Sequence, residues 1–426
     1  MRIGLFSYGT RGDVQPFLLL ALALKDAGHE VRVAAAPNFR AWVEGAGAPF
    51  MPVGGDTEEV LNHEVTKRAL ATGDVLTFLR FSRKHDAEWS QVFERNVIAA
   101  GEGLDAIVAN ALMMDRAAVL GARHQIPVVG LQTFPIVSSS TYPNPMIGAR
   151  PLPFGVLNRL THTVFERGFW SLVKPGTQLM RQHLGIAPAK DGYSAQTMRR
   201  GIPTLAAHSP VLFPAPGDWP SNVIVTGAFR ASSVLRKAHG EGEPPEALRR
   251  WLEAGPPPLF FGLGSIPVLD PARMLELVRA VVEPLGLRAI IGAGWTKLVP
   301  VDGDDTLFVV GAVDHDWLLP RCAAAVHHGG AGTTMAIARA GIPAIVCSVF
   351  GDQPWWGALV EALGIGVTFP FAKLDERRLR DAVTRVLDAR VLARAAEIGQ
   401  RVRDEDGLPA AVAALERVLP TAPIPE

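Results

Sequence analysis

Short apolar runs alternate along this chain with stretches in which apolar residues recur every three or four positions. The first pattern reads as buried strand, the second as amphipathic helix. Residues 3–7 form a predicted strand, 9–12 a tight glycine turn, and 14–27 a helix that Gly28 stops. Strands follow at 31–35, 106–108 and 128–131, the last two separated by a helical pattern around 117–123. Such alternation predicts a parallel sheet covered by helices on both faces.

The pattern breaks over residues 134–180, where aromatic and aliphatic side chains crowd together with several prolines and no strand period. They either pack as ordinary loops and helices or line an apolar pocket. Pro210, Pro214, Pro216 and Pro220, a charged glycine-rich stretch at 236–245, and three prolines at 256–258 have linker composition. Beyond them the alternation restarts. Strands are expected at 259–263, 289–291, 307–310, 324–327, 344–347 and 366–369, with a helix opened by Asp270 and Pro271 and a charged helical end from 374. The predicted layout is a Rossmann-like domain over 1–215, a linker region over 216–256, a second Rossmann-like domain over 257–405 and a helical tail over 406–426.

Composition agrees with two domains. A single core stops growing near ~250–300 residues, and this chain has 426. With 48% hydrophobic and 20% charged residues, each half can bury its own core. Forty-two basic residues balance 42 acidic ones, so no global field favours nucleic acid or an anionic membrane. Cys322 and Cys347 lie in apolar runs, which argues against a disulfide scaffold and for a reducing, cytoplasmic setting. The N-terminus lacks the apolar core of a secretory leader. The apolar run 17–24 is shorter than the ~20 residues that span a bilayer. Any membrane contact is expected to be peripheral, through Arg80, Arg83 and Lys84 or the aromatic stretch.

Chemistry concentrates at three turns. The strongest is His327-His328-Gly329-Gly330-Ala331-Gly332-Thr333-Thr334, between an apolar strand and a helix. Its glycines let main-chain N–H groups approach an anion. The helix start adds unpaired N–H groups and a partial positive charge, and Thr333, Thr334 and His328 add side-chain donors. This predicts a diphosphate cradle with no need of a metal, against the plainer reading of a strand-to-helix turn. No Lys follows the last glycine as in a Walker loop. Gly262-Leu263-Gly264 has Pro267 where a dinucleotide fingerprint has its third glycine. The histidines lack metal-ligand spacing. At the second turn, 350–357, Asp352 and Gln353 suit vicinal sugar hydroxyls, and Asp352 also reads as a helix N-cap. At the third, Asp13 closes Gly9-Thr10-Arg11-Gly12 after the first strand. It is expected to cap the helix with a lowered pKa; acceptance of a proton in a reaction is the open alternative to capping alone.

Together these motifs resemble the GT-B glycosyltransferases that use nucleotide sugars, and among them the sterol 3-β-glucosyltransferase subgroup, related to antibiotic-tailoring enzymes. GTRGDVQP at 9–16, GLGSIP at 262–267, GWTKL at 294–298, VDHDWLLPRC at 313–322, HHGGAGTT at 327–334 and GDQPWWG at 351–357 carry the resemblance, in family order. It implies an α/β GT-B fold, two Rossmann-like domains facing each other across a cleft, with acceptor bound by the first and donor by the second. It implies Asp13 as general base. Donor contacts would come from Gly12, Ser265, Trp295, Val313, His328, Gly330, Gly332, Thr333, Thr334, Asp352 and Gln353. Phe134, Tyr142, Met146, Phe169 and Trp355 are candidates for the acceptor. Ala336 stands where plant relatives hold the ribose with Glu, and Asp314 where relatives often have Pro, so uridine versus thymidine stays open.

The expected activity is inverting, metal-independent transfer of a hexose from UDP-glucose or a dTDP-sugar to a hydroxyl of a large apolar acceptor: a sterol, lipid or polyketide aglycone. The nucleotide sugar is a co-substrate; no cofactor, metal or nucleic acid is expected. Rival readings are antibiotic tailoring, a nucleotide-sugar-binding protein without chemistry, and a nicotinamide-dependent dehydrogenase, which the missing fingerprint weakens.

Overall fold

The computed structural model describes residues 1–231, 233–238, 240–264, 270–294 and 304–425, with side chains except at 75, 76, 78, 79, 82–89, 233 and 234. Strands β1 (Arg2–Phe6), β2 (Glu30–Ala35), β3 (Phe50–Pro52), β4 (Ala106–Ala109), β5 (Val128–Gln132), β6 (Thr204–Ala206) and β7 (Val223–Val225) form the first sheet. Its order is β3-β2-β1-β4-β5-β6-β7, all parallel. A second parallel sheet holds β8 (Leu259–Gly262), β9 (Ala289–Gly292), β10 (Leu307–Val310), β11 (Ala324–His327), β12 (Ala344–Ser348) and β13 (Gly366–Pro370). Its order is β10-β9-β8-β11-β12-β13. Central strands such as β4 and β11 are buried throughout, which is why their sequences read as continuous apolar runs.

Strand order reverses between β1 and β4 in one sheet and between β8 and β11 in the other. In open parallel sheets ligands bind at the carboxyl ends of strands beside such a switch point. The loops after β1, β8 and β11 are therefore the positions to inspect.

The first helix, Arg11–Asp26, starts three residues earlier than the apolar pattern indicates. It buries Val14, Phe17, Leu18, Ala21 and Leu24 along one face. Pro16 lies inside it and has no N–H to give the Gly12 carbonyl. The stretch 134–180 holds a 29-residue helix, Gly155–His183.

The predicted linker and tail are built into the domains. β7 pairs with β6 at the edge of the first sheet. Leu248, on the Glu246–Glu253 helix, joins the second domain's core. The helix Gly407–Val418 returns to the first domain, where Ala411, Ala414 and Leu415 pack into the same core as Val14 and Phe17. The Gly407 N–H closes this crossing by donating to the Ala228 carbonyl at 3.0 Å. A Cβ on Gly407 would lie 2.2 Å from the Gly227 carbonyl oxygen, so the approach requires glycine. Among the described residues no helix is long and apolar enough to cross a membrane.

Candidate active site

The loop after β1 folds over Asp13. Gly9 has φ +134°, and a Cβ there would sit 2.3 Å from Asp13 Oδ2. Ser7 Oγ donates to the Asp13 carbonyl at 2.8 Å. The Thr10 N–H and hydroxyl donate to Asp13 Oδ2 at 2.8 and 3.1 Å. Thr10, not Asp13, occupies the N-cap. Asp13 lies in the first turn and reaches back, as the acid of a capping box does. The expected lowering of its pKa is also corrected. Burial raises it to about 6, against both hydrogen bonds from Thr10. Gly12 is exposed on the first turn beside it.

Across the cleft, Asp352 holds the N-cap position of the helix Gln353–Ala362 without capping it through its side chain. Its Oδ2 instead accepts from Trp356 Nε1 at 2.8 Å. Burial raises the Asp352 pKa to about 7; the indole hydrogen bond opposes that rise and the charge of Asp13 adds to it. The two carboxyls, one from each sheet, thus lie within each other's field. Gln353 is buried, and its Oε1 accepts from the Val349 and Phe350 N–H groups at 2.8 and 3.2 Å. Its carbonyl end shapes the loop, and its amide nitrogen is what remains for a ligand.

The glycine turn lies between β11 and the helix Ala331–Ala340. Gly330 is the N-cap and offers no side chain, so the amides of Ala331, Gly332 and Thr333 open the helix without intrahelical acceptors. Thr334 is turned inward: its hydroxyl donates to the Gly330 carbonyl at 2.9 Å and it is buried. It fixes the turn and is not a free donor. Thr333 and exposed Gly332 remain at the open end.

The His328 ring sits between Gly264 and Gly330. A Cβ on either would come within 2.7 or 2.5 Å of it. Burial lowers its pKa to about 4, with a main-chain hydrogen bond at Gly262 opposing. It is therefore neutral at pH 7 and brings no positive charge to the turn; its single N–H serves the Gly262 main chain. His327 Nδ1 accepts from the Gly329 N–H at 3.1 Å and is wholly buried, a staple of the turn. Val313 is buried just after β10. Ser265 and Trp295 lie outside the described residues. Among the described residues no group of three His, Cys, Asp or Glu could hold a metal ion.

Two families match the sequence: Glycosyltransferase family 28 N-terminal domain over residues 3–124, and Erythromycin biosynthesis protein CIII-like, C-terminal domain over residues 303–414. A sterol 3-beta-glucosyltransferase of Arabidopsis thaliana is 34% identical over 440 residues, covering 100% of this chain and 68% of that protein. The chain belongs to the GT-B glycosyltransferases. A sterol 3-beta-glucosyltransferase of Komagataella phaffii is 30% identical, covering 96% of this chain but 34% of its own length. Among solved structures, the glycosyltransferase of kitacinnamycin superposes with a TM-score of 0.66 at 19% identity over 98% of each chain. VinC, solved with dTDP, superposes with a TM-score of 0.63 at 20% identity, over 98% of this chain and 99% of that one.

In this glycosyltransferase the predicted acceptor residues divide. Tyr142 and Trp355 meet, but as packing between the domains: their ring centroids are 6.3 Å apart, and Phe213 lies 5.2 Å from the first and 5.0 Å from the second. Both are buried. The Tyr142 hydroxyl donates to the Val137 carbonyl and accepts from Trp219 Nε1. These rings form an interdomain aromatic knot. Phe134, just beyond β5, packs partly buried on the second domain's core. Met146 is exposed beside Gly351, and Phe169 stacks on Phe165 at 5.8 Å.

An ion network went unread in the sequence. Arg236 pairs with Asp314 and Asp316; Arg230 and Arg339 reach Asp316 at 3.0 and 3.3 Å. Burial alone would raise the Asp316 pKa, yet the arginines hold it below the usual range. The network ties the chain after β7 to the turn carrying Val313. Arg11, two residues before Asp13, pairs with nearly buried Glu241. Apart from Arg339 and Asp316, which are 23 residues apart, these partners are separated by about 80 residues or more, so no local pattern announces them.

Proposed function

We propose that this glycosyltransferase transfers a hexose, with inversion and without a metal, from UDP-glucose or a related dTDP-sugar to a hydroxyl of a large apolar acceptor such as a sterol. One observation carries the reading: Asp13 from the first sheet and Asp352 from the second lie within each other's field, and the second sheet also carries a helix start whose free amides follow the neutral His328.

The diphosphate would lie on the amides of Ala331, Gly332 and Thr333, with the His328 ring beside its leaving oxygen, donating to it once the diphosphate's charge favours protonation of the ring. Preorganised donors in a water-poor cleft stabilise charge as it develops there. Asp352 and the Gln353 amide would hold sugar hydroxyls. The main chain at Val313 would meet the nucleobase. The acceptor oxygen bonds to the anomeric carbon as the bond to the diphosphate breaks, and its proton passes to Asp13. A single displacement from the opposite face inverts the centre, by the geometry that governs inverting glycosidases. The resemblance to sterol 3-beta-glucosyltransferases over the whole chain supports the apolar acceptor.

The test is a matrix of UDP- and dTDP-sugars against sterols and polyketide aglycones, read by mass spectrometry. The reading expects a glucosylated sterol with UDP-glucose. Products confined to dTDP-sugars and polyketides would support antibiotic tailoring instead. Nucleotide binding with no product from any pair would support a binding protein. The Asp13→Asn variant should lose about 10²–10⁴-fold in kcat while still binding UDP.

A further inference from the structure

The helix Gly155–His183 is inside out in its first half. It buries polar Asn158 and His162, which bond to the Ser140 and Tyr142 carbonyls. Its apolar residues face away: Val156, Leu160 and Val164 recur every fourth position and are 72%, 53% and 56% exposed. Phe154, just before the helix, is 67% exposed, and Ile147 and Leu152 extend the patch. A helix resting on a core in water shows the opposite arrangement. Soluble monomers seldom expose so large a contiguous apolar face without an interaction to make.

Charge indicates the occupant. In a chain of zero net charge, residues 146–183 carry Arg150, Arg159, Arg167, Lys174 and Arg181 against Glu166 alone. Arg181 is buried; the other four are exposed, with Arg150 paired to Glu361 and Arg159 to Asp218, so Arg167 and Lys174 carry the outward charge of the face. On the helix, Arg167 and Lys174 continue the outward line of Leu160 and Val164, at intervals of three or four residues or their sum. Apolar residues flanked by exposed cations fit the boundary between acyl chains and anionic headgroups. The patch also borders the cleft. Arg150 pairs with Glu361 on the helix that Asp352 opens, and a Cβ on Gly351 would lie 3.9 Å from the Met146 methyl.

We propose that residues 147–174 form a docking face for an anionic lipid bilayer, holding the mouth of the cleft against the membrane. This face does not depend on which acceptor the enzyme glycosylates, so its test uses vesicles without acceptor. The purified protein should co-sediment with vesicles of phosphatidylcholine mixed with phosphatidylglycerol, and less with phosphatidylcholine alone. The triple variant V156S/L160S/V164S should bind at least about tenfold more weakly, with unchanged Tm and UDP binding. The double variant R167E/K174E should lose about fivefold or more per charge on the mixed vesicles. Wild-type protein remaining in the supernatant, or variants pelleting as it does, would overturn the proposal. So would a wild-type dimer in sedimentation velocity that the triple variant dissolves, since the face would then join two copies.

Discussion

A carboxyl raised to about 6 must lose its proton before it can take one from an acceptor, so Asp13 as the proposed base should set an acid limb on activity. The value of kcat/KM should rise with pH to about 6 and then level; a profile flat from pH 5 to 8 would remove Asp13 as base. Asp352 gives a stability test. Its folded pKa, about 7, lies above the ordinary value of 3.8. The stability it contributes is complete below that ordinary value and is lost as pH rises through about 7. The Tm of Asp352→Asn minus that of wild type should therefore grow from pH 5 to pH 8. Both acids were legible as motif positions. Their mutual field was not, because it arises only when two distant loops meet. The pKa of Asp13 was misjudged for a related reason: a helix cap was visible, though assigned to Asp13 rather than Thr10, and the burial over it was not. His328 was legible as part of the glycine turn, but its neutrality follows from enclosure by Gly264 and Gly330.

At the scale of elements, the turn after β11 depends on Gly329. Its φ is +92°, and a Cβ would lie 2.8 Å from Val346 Cγ1 and 2.9 Å from the Gln353 carbonyl oxygen. Gly329→Ala should cost about 1–3 kcal/mol, seen in denaturant unfolding, and weaken UDP binding because the two turns proposed to hold the donor are pushed apart. The parallel strands were legible where the apolar run was continuous, as in β4, β5, β11 and β12. β3, β6 and β7 are three residues each, too short for a period to show. The Gly155–His183 helix escaped notice because its outward face is as apolar as a core face.

Across the whole molecule, the predicted cleft was legible from two alternating halves, whereas the routing of chain between them was not. The stretch read as linker contributes Trp219 to the aromatic knot and Arg236 to the ion network. Trp355→Ala should cost about 3–5 kcal/mol in equilibrium unfolding, more than removal of a pocket-lining ring would. The returning helix makes a sharper prediction. Leu415 is fully buried against the first domain, so Leu415→Ala should cost about 2–5 kcal/mol and speed amide exchange in β1 and Arg11–Asp26 rather than in the second sheet. That helix also bears on how the protein is made. On the ribosome, the amino-terminal half emerges early yet lacks part of its own interior until residue 415 has cleared the exit tunnel. Nascent chains stalled before that point should be more sensitive to protease in the first half than in the second, reversing the usual vectorial order.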